Sequence, residues 1–273
     1  MSTGNSVIPS SVLGADERKL VAEFVDERIR PVATELDETE RFPEEIYREM
    51  GKIGLFGITV PEKFGGFGGT ALDYLFVMES LSYGYASVAD QCGLVEILGS
   101  LLGNYGTPAA DALLGEEGKA FGYMMKVLAK GRLGISGLSL GISRAALDAA
   151  TRQSLDRSQF GKPISANQGI SFSLATVATE LRAGTALSVE AARALDTGAA
   201  DAETLCSMAK LYASEGCVRH ADAAVQVFGG NGFIRGYEVE RLYRDARITK
   251  IYEGTSEMQR LIISRAVLKG AAA

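Results

Sequence analysis

The sequence predicts an all-α protein, a bundle of long helices joined by short loops, and three observations predict it. Strand signals, meaning alternating β-branched runs between turn dipeptides, are nearly absent from the 273 residues. Six prolines interrupt the chain, at 9, 31, 43, 61, 108 and 163, and the stretches between them are rich in Ala, Leu, Glu, Arg and Met, all strong helix formers. Between residues 165 and 197 the hydrophobic period is plainly helical: Leu174, Val177, Leu181, Gly184, Ala191 and Leu195 fall on one stripe at steps of three, four or their sum. The small members, Gly184 and Ala191, predict close approach of a second helix.

The elements follow in order. Asp16, with Arg18 and Lys19 behind it, opens a first helix reaching about Leu36, with a kink expected at Pro31. In "RFPEEIYREMGKIG", Pro43 suits a first turn, Glu44 and Glu45 suit the positive end of a helix dipole, and Gly51 and Gly54 suit its stop. "VPEKFGGFGGT", residues 60–70, reads as a loop, followed by helices over about 71–83 and 86–104. "GTPAADALLGEEG", 106–118, breaks the helical run. Residues 119–156 then read as one long helix with glycines at 131, 134, 137 and 141, and 201–228 as another. "FGGNGFIRG" is a glycine-rich turn, 238–246 a short helix and 255–268 a last one. No internal repeat or low-complexity linker is present.

Composition bounds the function. A chain that is 47% hydrophobic and 23% charged builds an ordinary buried core. A net charge of −6 disfavours a general nucleic-acid binder, and no apolar run approaches the length of a membrane span. The N-terminus lacks a basic region followed by an apolar stretch, so it does not read as a secretory signal. Cys92, Cys206 and Cys217 form no CxxC pair, which fits a reduced, cytoplasmic compartment. His220 is the lone histidine; no metal site is expected, and its expected role is packing or helix surface.

Four segments carry candidate chemistry. In "KIYEGTSEMQR", Glu253 stands just outside a helix start, Gly254 permits positive φ or close approach of a ligand, and Thr255 or Ser256 can cap the helix. Read locally, that is a helix-entry turn with a charge favoured by the dipole, or a base aimed at a substrate. "QVFGGNGF" offers backbone N–H groups for a phosphate or simply a C-cap; it is not GxGxxG after a strand. "DRSQFGKPISANQ" sets Arg157 and Lys162 about an aromatic, which suits a pyrophosphate, a subunit contact, or a helix–loop–helix corner held by Pro163. Arg132 is a charge in a mostly apolar helix and is expected to snorkel or to bind.

Taken together and in order, these segments resemble the acyl-CoA dehydrogenase family. The resemblance runs over nearly the whole chain, through "FPEEIYREMGKIGLFGITVPEKFGGFGG", "LLGEEGKAF", "GRLGI", "RSQFGKPI", "QVFGGNGF" and "YRDARITKIYEGTSEMQR". It implies that Glu253 removes the α-proton of an acyl-CoA thioester while the β-hydrogen leaves as hydride to N5 of FAD. The thioester oxygen is then held by the N–H of the base residue and a flavin ribityl hydroxyl. Some relatives carry the base just before the arginine matching Arg132; here that position is Gly131. Arg132 is implied to hold the CoA arm and Gly254 to lie against the thioester. For FAD the resemblance implies Arg157, Gln159 and Phe160, then Asn167 and Gln168, then Gln226, Val227, Phe228, Gly229 and Gly230 from a neighbouring subunit. It adds Thr255, Ser256 and Glu257 beside the cofactor. A homodimer or homotetramer follows, with an electron-transfer flavoprotein as candidate acceptor.

One departure stands out. The family's middle β-barrel domain, with its "TEPGAGSD"-like stretch and tryptophan-containing strand, has no counterpart here. The expected organisation is an N-terminal helical domain, 1–110, and a C-terminal long-helix bundle, 111–273, joined at about 108–114 where that domain is inserted in relatives. Two other readings follow from the loss: a flavin-independent, base-catalysed reaction on an acyl-thioester, or a non-catalytic helical partner of a related subunit.

Overall fold

The computed structural model describes residues 6, 8–9, 12–106 and 119–271. Helix α1 (Ala15–Phe24) starts with Asp16 and Glu17 in its first turn, where carboxylates oppose the positive helix end. The helix expected to run to Leu36 is interrupted. The backbone widens into a π turn at Val25–Ile29, tightens to a 3-10 turn at Arg30–Val32, and resumes as α2 (Ala33–Thr39). Pro31 is the cause, since its ring removes an N–H and crowds the carbonyl four residues back. Helix α3 (Glu44–Lys52) follows, and the 60–70 loop holds one short 3-10 turn at Glu62–Phe64.

The remaining helices are α4 (Ala71–Gly84), α5 (Ala86–Tyr105), α6 (Ala120–Asp156), α7 (Gln168–Thr197), α8 (Ala202–Phe228), α9 (Glu238–Ile248) and α10 (Ser256–Ala271). A capping box of Thr70 and Asp73 opens α4, and Asp196 at the far end of α7 accepts from the Ala71 N–H at 2.6 Å. Between α6 and α7, where the sequence left a pyrophosphate site, a subunit contact and a helix–loop–helix corner open, the chain forms a short hairpin. Strands β1 (Ser158–Gln159) and β2 (Lys162–Pro163) pair antiparallel, Ser158 opposite Pro163 and Gln159 opposite Lys162. Phe160 (φ 54°) and Gly161 (φ 79°) form the two-residue left-handed turn that such hairpins need.

Glycines set how closely the long helices cross. A β-carbon at Gly137 would lie 2.9 Å from the Leu75 carbonyl oxygen, and one at Gly141 only 2.2 Å from that of Glu79, so α4 lies directly on α6. The buried Arg144–Glu79 ion pair, 2.6 Å, fastens the same crossing. On the other side of α6, the stripe read from α7 faces inward. At Gly184 a β-carbon would meet Leu140 and Tyr212, each at 3.3 Å. His220 of α8 is buried at this seam, its Nδ1 3.0 Å from Ser143 Oγ and its Nε2 3.1 Å from Glu180 Oε2. The core is one cluster running from Ile8 to Ala246, so the expected halves 1–110 and 111–273 share it. The expected junction at 108–114 lies outside the described residues.

Large apolar side chains are exposed at one end of the bundle. Leu94, Leu98 and Leu102 repeat along one face of α5, and Phe121 and Met124 stand at the start of α6. The contact of Ile97 with Gly131 and the bond from Lys130 to Ser100 make α5 and α6 antiparallel, which puts these residues together. Among the described residues no helix is long and apolar enough to cross a membrane.

Candidate active site

The last turn before α10 is strained. Glu253 (φ 53°) and Gly254 (φ 93°) both occupy the left-handed region, which a glutamate enters only when its surroundings hold it there. Three bonds do so. Gln259 of α10 donates through Nε2 to the carbonyls of Glu253 (3.2 Å) and Gly254 (2.9 Å), and Lys210 of α8 donates through Nζ to the Gly254 carbonyl at 2.8 Å. Thr255 closes the helix start by accepting from the Met258 N–H at 3.4 Å.

The bend turns the Glu253 side chain inward onto α6. A β-carbon at Gly131 would lie 2.5 Å from Glu253 Oε2, 2.9 Å from its Cδ and 3.1 Å from Ile97 Cδ1 of α5. Only glycine leaves that space to the carboxylate. Oε2 is buried with no hydrogen-bond partner. Among the described residues the Glu253 N–H has no acceptor either, so a carboxylate oxygen and an amide donor are presented from one residue. Burial raises the Glu253 carboxyl above the ordinary value of 4.5; Arg132 and Lys210 pull it back down and Asp90 pushes it further up.

Arg132 does not snorkel. It is 4% exposed, and among the described residues its Nε and Nη1 find no acceptor. Its guanidinium is lowered by burial and held up by the charges of Glu203 and Glu253. Tyr74 of α4 completes the surroundings: its hydroxyl sits against Gly134, where a β-carbon would lie 2.2 Å from it, one helical turn from the seat of Glu253 on Gly131. Asp90 of α5, raised by burial, is bonded to Tyr252. Lys130 ties α6 to α5 beside the site by donating to Ser100 Oγ (2.8 Å) and Thr59 Oγ1.

The predicted cofactor residues fall in two groups. Arg157, at the end of α6, donates through Nη1 to the Phe228 carbonyl at 3.0 Å, and Gly229 (φ 63°) passes 3.3 Å from the same nitrogen, counted from a built β-carbon. These contacts bring Arg157 to Phe228 and Gly229, and Gln159 and Phe160 follow Arg157 on the hairpin. Phe160 is 94% exposed on a left-handed hairpin tip, an arrangement with no packing rationale. Gln226 and Gly230 are exposed, whereas the Val227 and Phe228 side chains are buried, Phe228 edge-on to Tyr237 with centroids 5.9 Å apart. Asn167 bonds the Ile164 carbonyl through Nδ2 (3.1 Å), and Gln168 is exposed at the start of α7. The second group is at Glu253: Thr255 is half-buried, Ser256 buried and Glu257 exposed. Gly131 and Arg157 stand 26 positions apart along α6 and its C-cap, about 39 Å at 1.5 Å per residue.

Lys210, Tyr74, Asp90 and Gln259 were not read from the sequence. The signal for Lys210 was present: with Cys206, Ala213 and Cys217 it falls on the apolar stripe of α8, so a lysine holds a core position and is fully buried.

Comparison with known proteins matches residues 16–112 to the family model described as "Acyl-CoA dehydrogenase, N-terminal domain" and residues 118–268 to "Acyl-CoA dehydrogenase, C-terminal domain". An acyl-CoA dehydrogenase of Bacillus subtilis (strain 168) is 31% identical over 373 aligned positions that span 93% of this chain and 97% of the relative. The alignment is longer than the 273 residues here, so it passes over a stretch of the relative without a counterpart. The caffeyl-CoA reductase-Etf complex subunit CarC of Acetobacterium woodii is 46% identical over 156 residues, 57% of this chain and 41% of the relative. Butyryl-CoA dehydrogenase from Megasphaera elsdenii superposes with a TM-score of 0.85 at 27% identity, covering 95% of this chain and 100% of that one.

Proposed function

The chain belongs to the acyl-CoA dehydrogenase family, and from that premise we propose that it dehydrogenates the α,β bond of an acyl-CoA thioester, with FAD as cofactor and Glu253 as the α-proton base. One observation carries the assignment of the base: a buried carboxylate oxygen without a partner, bent onto a glycine of α6 and flanked by two buried cations.

The chemistry needs three things from the protein. A carbon acid beside a thioester is weak, so the base must be poorly solvated, and burial of Glu253 supplies that. The thioester oxygen gains charge as the proton leaves, and the uncommitted Glu253 N–H is a donor for it. The CoA arm is anionic, and the two unpaired nitrogens of Arg132 favour it. Gly254, with no side chain, lets the thioester approach the turn. The flavin, when bound, accepts the β-hydrogen as hydride.

The residues present fit FAD, provided two copies share it. Thr255, Ser256 and Glu257 of one copy would flank the cofactor near the base, and Arg157, Gln159, Phe160, Asn167, Gln168, Gln226, Gly229 and Gly230 of a second copy would hold its far end. Val227 and Phe228 would contribute backbone alone. The separation of about 39 Å exceeds the reach of one dinucleotide, which supports a homodimer, alone or paired into a tetramer. An electron-transferring flavoprotein is the proposed acceptor, in line with the complex named for the Acetobacterium relative. Three unpaired, buried cysteines fit a reducing compartment such as the cytoplasm. The division 1–110 and 111–273 marks the two family domains, with the middle domain lost between them.

Purified protein should carry flavin, and anaerobic addition of an acyl-CoA should bleach it. Glu253→Gln should slow that bleaching by about 10²–10⁴-fold with flavin content unchanged. An unchanged rate removes Glu253 from the mechanism. A flavin-free protein that still exchanges the α-proton with solvent replaces dehydrogenation with base catalysis alone.

A further inference from the structure

A fully buried lysine with a single hydrogen bond is costly, because an ammonium out of water wants three acceptors. Lys210 is such a residue, and among the described residues its one acceptor is the Gly254 carbonyl at 2.8 Å. That carbonyl belongs to the left-handed turn that aims Glu253 at Gly131. Gln259 donates to the same oxygen, so the turn would keep one anchor without Lys210. What Gln259 lacks is charge. The charged and titratable groups facing Lys210 are Glu253, Arg132 of α6, Glu215 on its own helix and Glu257 of α10; those facing Glu253 are Arg132, Asp90 of α5, Lys210, Tyr74 of α4 and the adjacent Tyr252.

We infer that Lys210 is a positioning residue for the base: its buried ammonium pins the carbonyl of the turn that aims Glu253 and sets a fixed positive charge beside that carboxylate. The inference rests on the assignment of Glu253 as base. The physical reason is a balance. Burial and Asp90 favour the neutral acid, which cannot accept a proton; Arg132 and Lys210 favour the anion. Arg132 is proposed to face the anionic substrate, which would draw its charge away on binding. Lys210, fixed to the backbone, keeps its own. The same burial lowers the Lys210 ammonium to about 8, with Glu253 opposing that fall.

The test reads Glu253 directly, by ¹³C NMR of carboxyl-labelled glutamate in the intact chain, assigned by loss of the signal in Glu253→Gln. In Lys210→Met the Glu253 midpoint should move to higher pH, and the acid limb of the kcat/KM profile should move with it while KM for acyl-CoA holds. Gln259→Leu removes a donor of the same turn without removing charge and should leave the midpoint in place. An unmoved midpoint in Lys210→Met, or an equal shift in both variants, overturns the inference. Should Lys210→Met fail to fold, the reciprocal coupling decides: Glu253→Gln should move the Lys210 Nζ midpoint to lower pH, and an unmoved Nζ midpoint overturns the inference. The NMR readouts need no turnover, so they hold or fail independently of the proposed reaction.

Discussion

At the scale of the residue, Glu253 is held against its own preferences. Its backbone is left-handed and its carboxyl is raised above 4.5, chiefly by burial. The raised value fixes the sign of a stability effect. Below the unfolded value the group is protonated in both states and contributes nothing. As pH rises through the folded value, the native state must ionise a buried group that the unfolded chain ionises freely, and stability falls. Glu253→Gln should therefore melt at a higher temperature than wild type at pH 7, with the two curves meeting below about pH 4.5 in scanning calorimetry. A Gln variant that is less stable at pH 7 would mean that the carboxylate is a structural ligand of the turn. Glu253, Gly254 and Arg132 were legible as candidates through the family's segments taken in order; read locally, Glu253 fits a helix-entry turn as well as a base, and Arg132 a snorkelling charge. Lys210 and Tyr74 were not legible, since their placement depends on which helix crosses which.

At the scale of the element, helix boundaries were legible because caps and breakers are local. The capping box at Thr70 and the proline at 31 mark their sites within the sequence itself. The hairpin at 158–163 was missed because its two strands are two residues each and its turn begins with Phe160, where asparagine or glycine is the usual signal. The glycines of α6 look alike in the sequence and differ in the fold. Gly141 faces the α4 backbone, while Gly122 has nothing within 4 Å of a built β-carbon. Gly141→Ala should destabilise by about 1–3 kcal/mol through forced separation of α4 and α6. Gly122→Ala, a relief of backbone entropy on the same helix, should be neutral or stabilising by up to about 1 kcal/mol. Urea unfolding of both variants measures the contrast, and equal effects would mean that the α4–α6 crossing is not set by Gly141.

At the scale of the whole molecule, the two groups of candidate cofactor residues lie about 39 Å apart along α6, and nothing in the sequence showed that Arg157 and Phe228 meet. If each flavin is shared between copies, two disabled chains should repair one another. Arg157→Ala supplies a good base with a poor far end, and Glu253→Gln the reverse. A randomly reassembled mixture should regain about a quarter of wild-type activity, because half the dimers are mixed and each has one intact site. No recovery after dissociation and remixing would confine the site to one copy. The bare ridge of Leu94, Leu98 and Leu102 beside Phe121 and Met124 has a practical corollary at the bench. Greasy fluorescent probes such as ANS, whose brightening is ordinarily taken to mean loosened packing, should light up on the intact, fully helical protein; near-ultraviolet circular dichroism is the better witness to whether its interior has come apart.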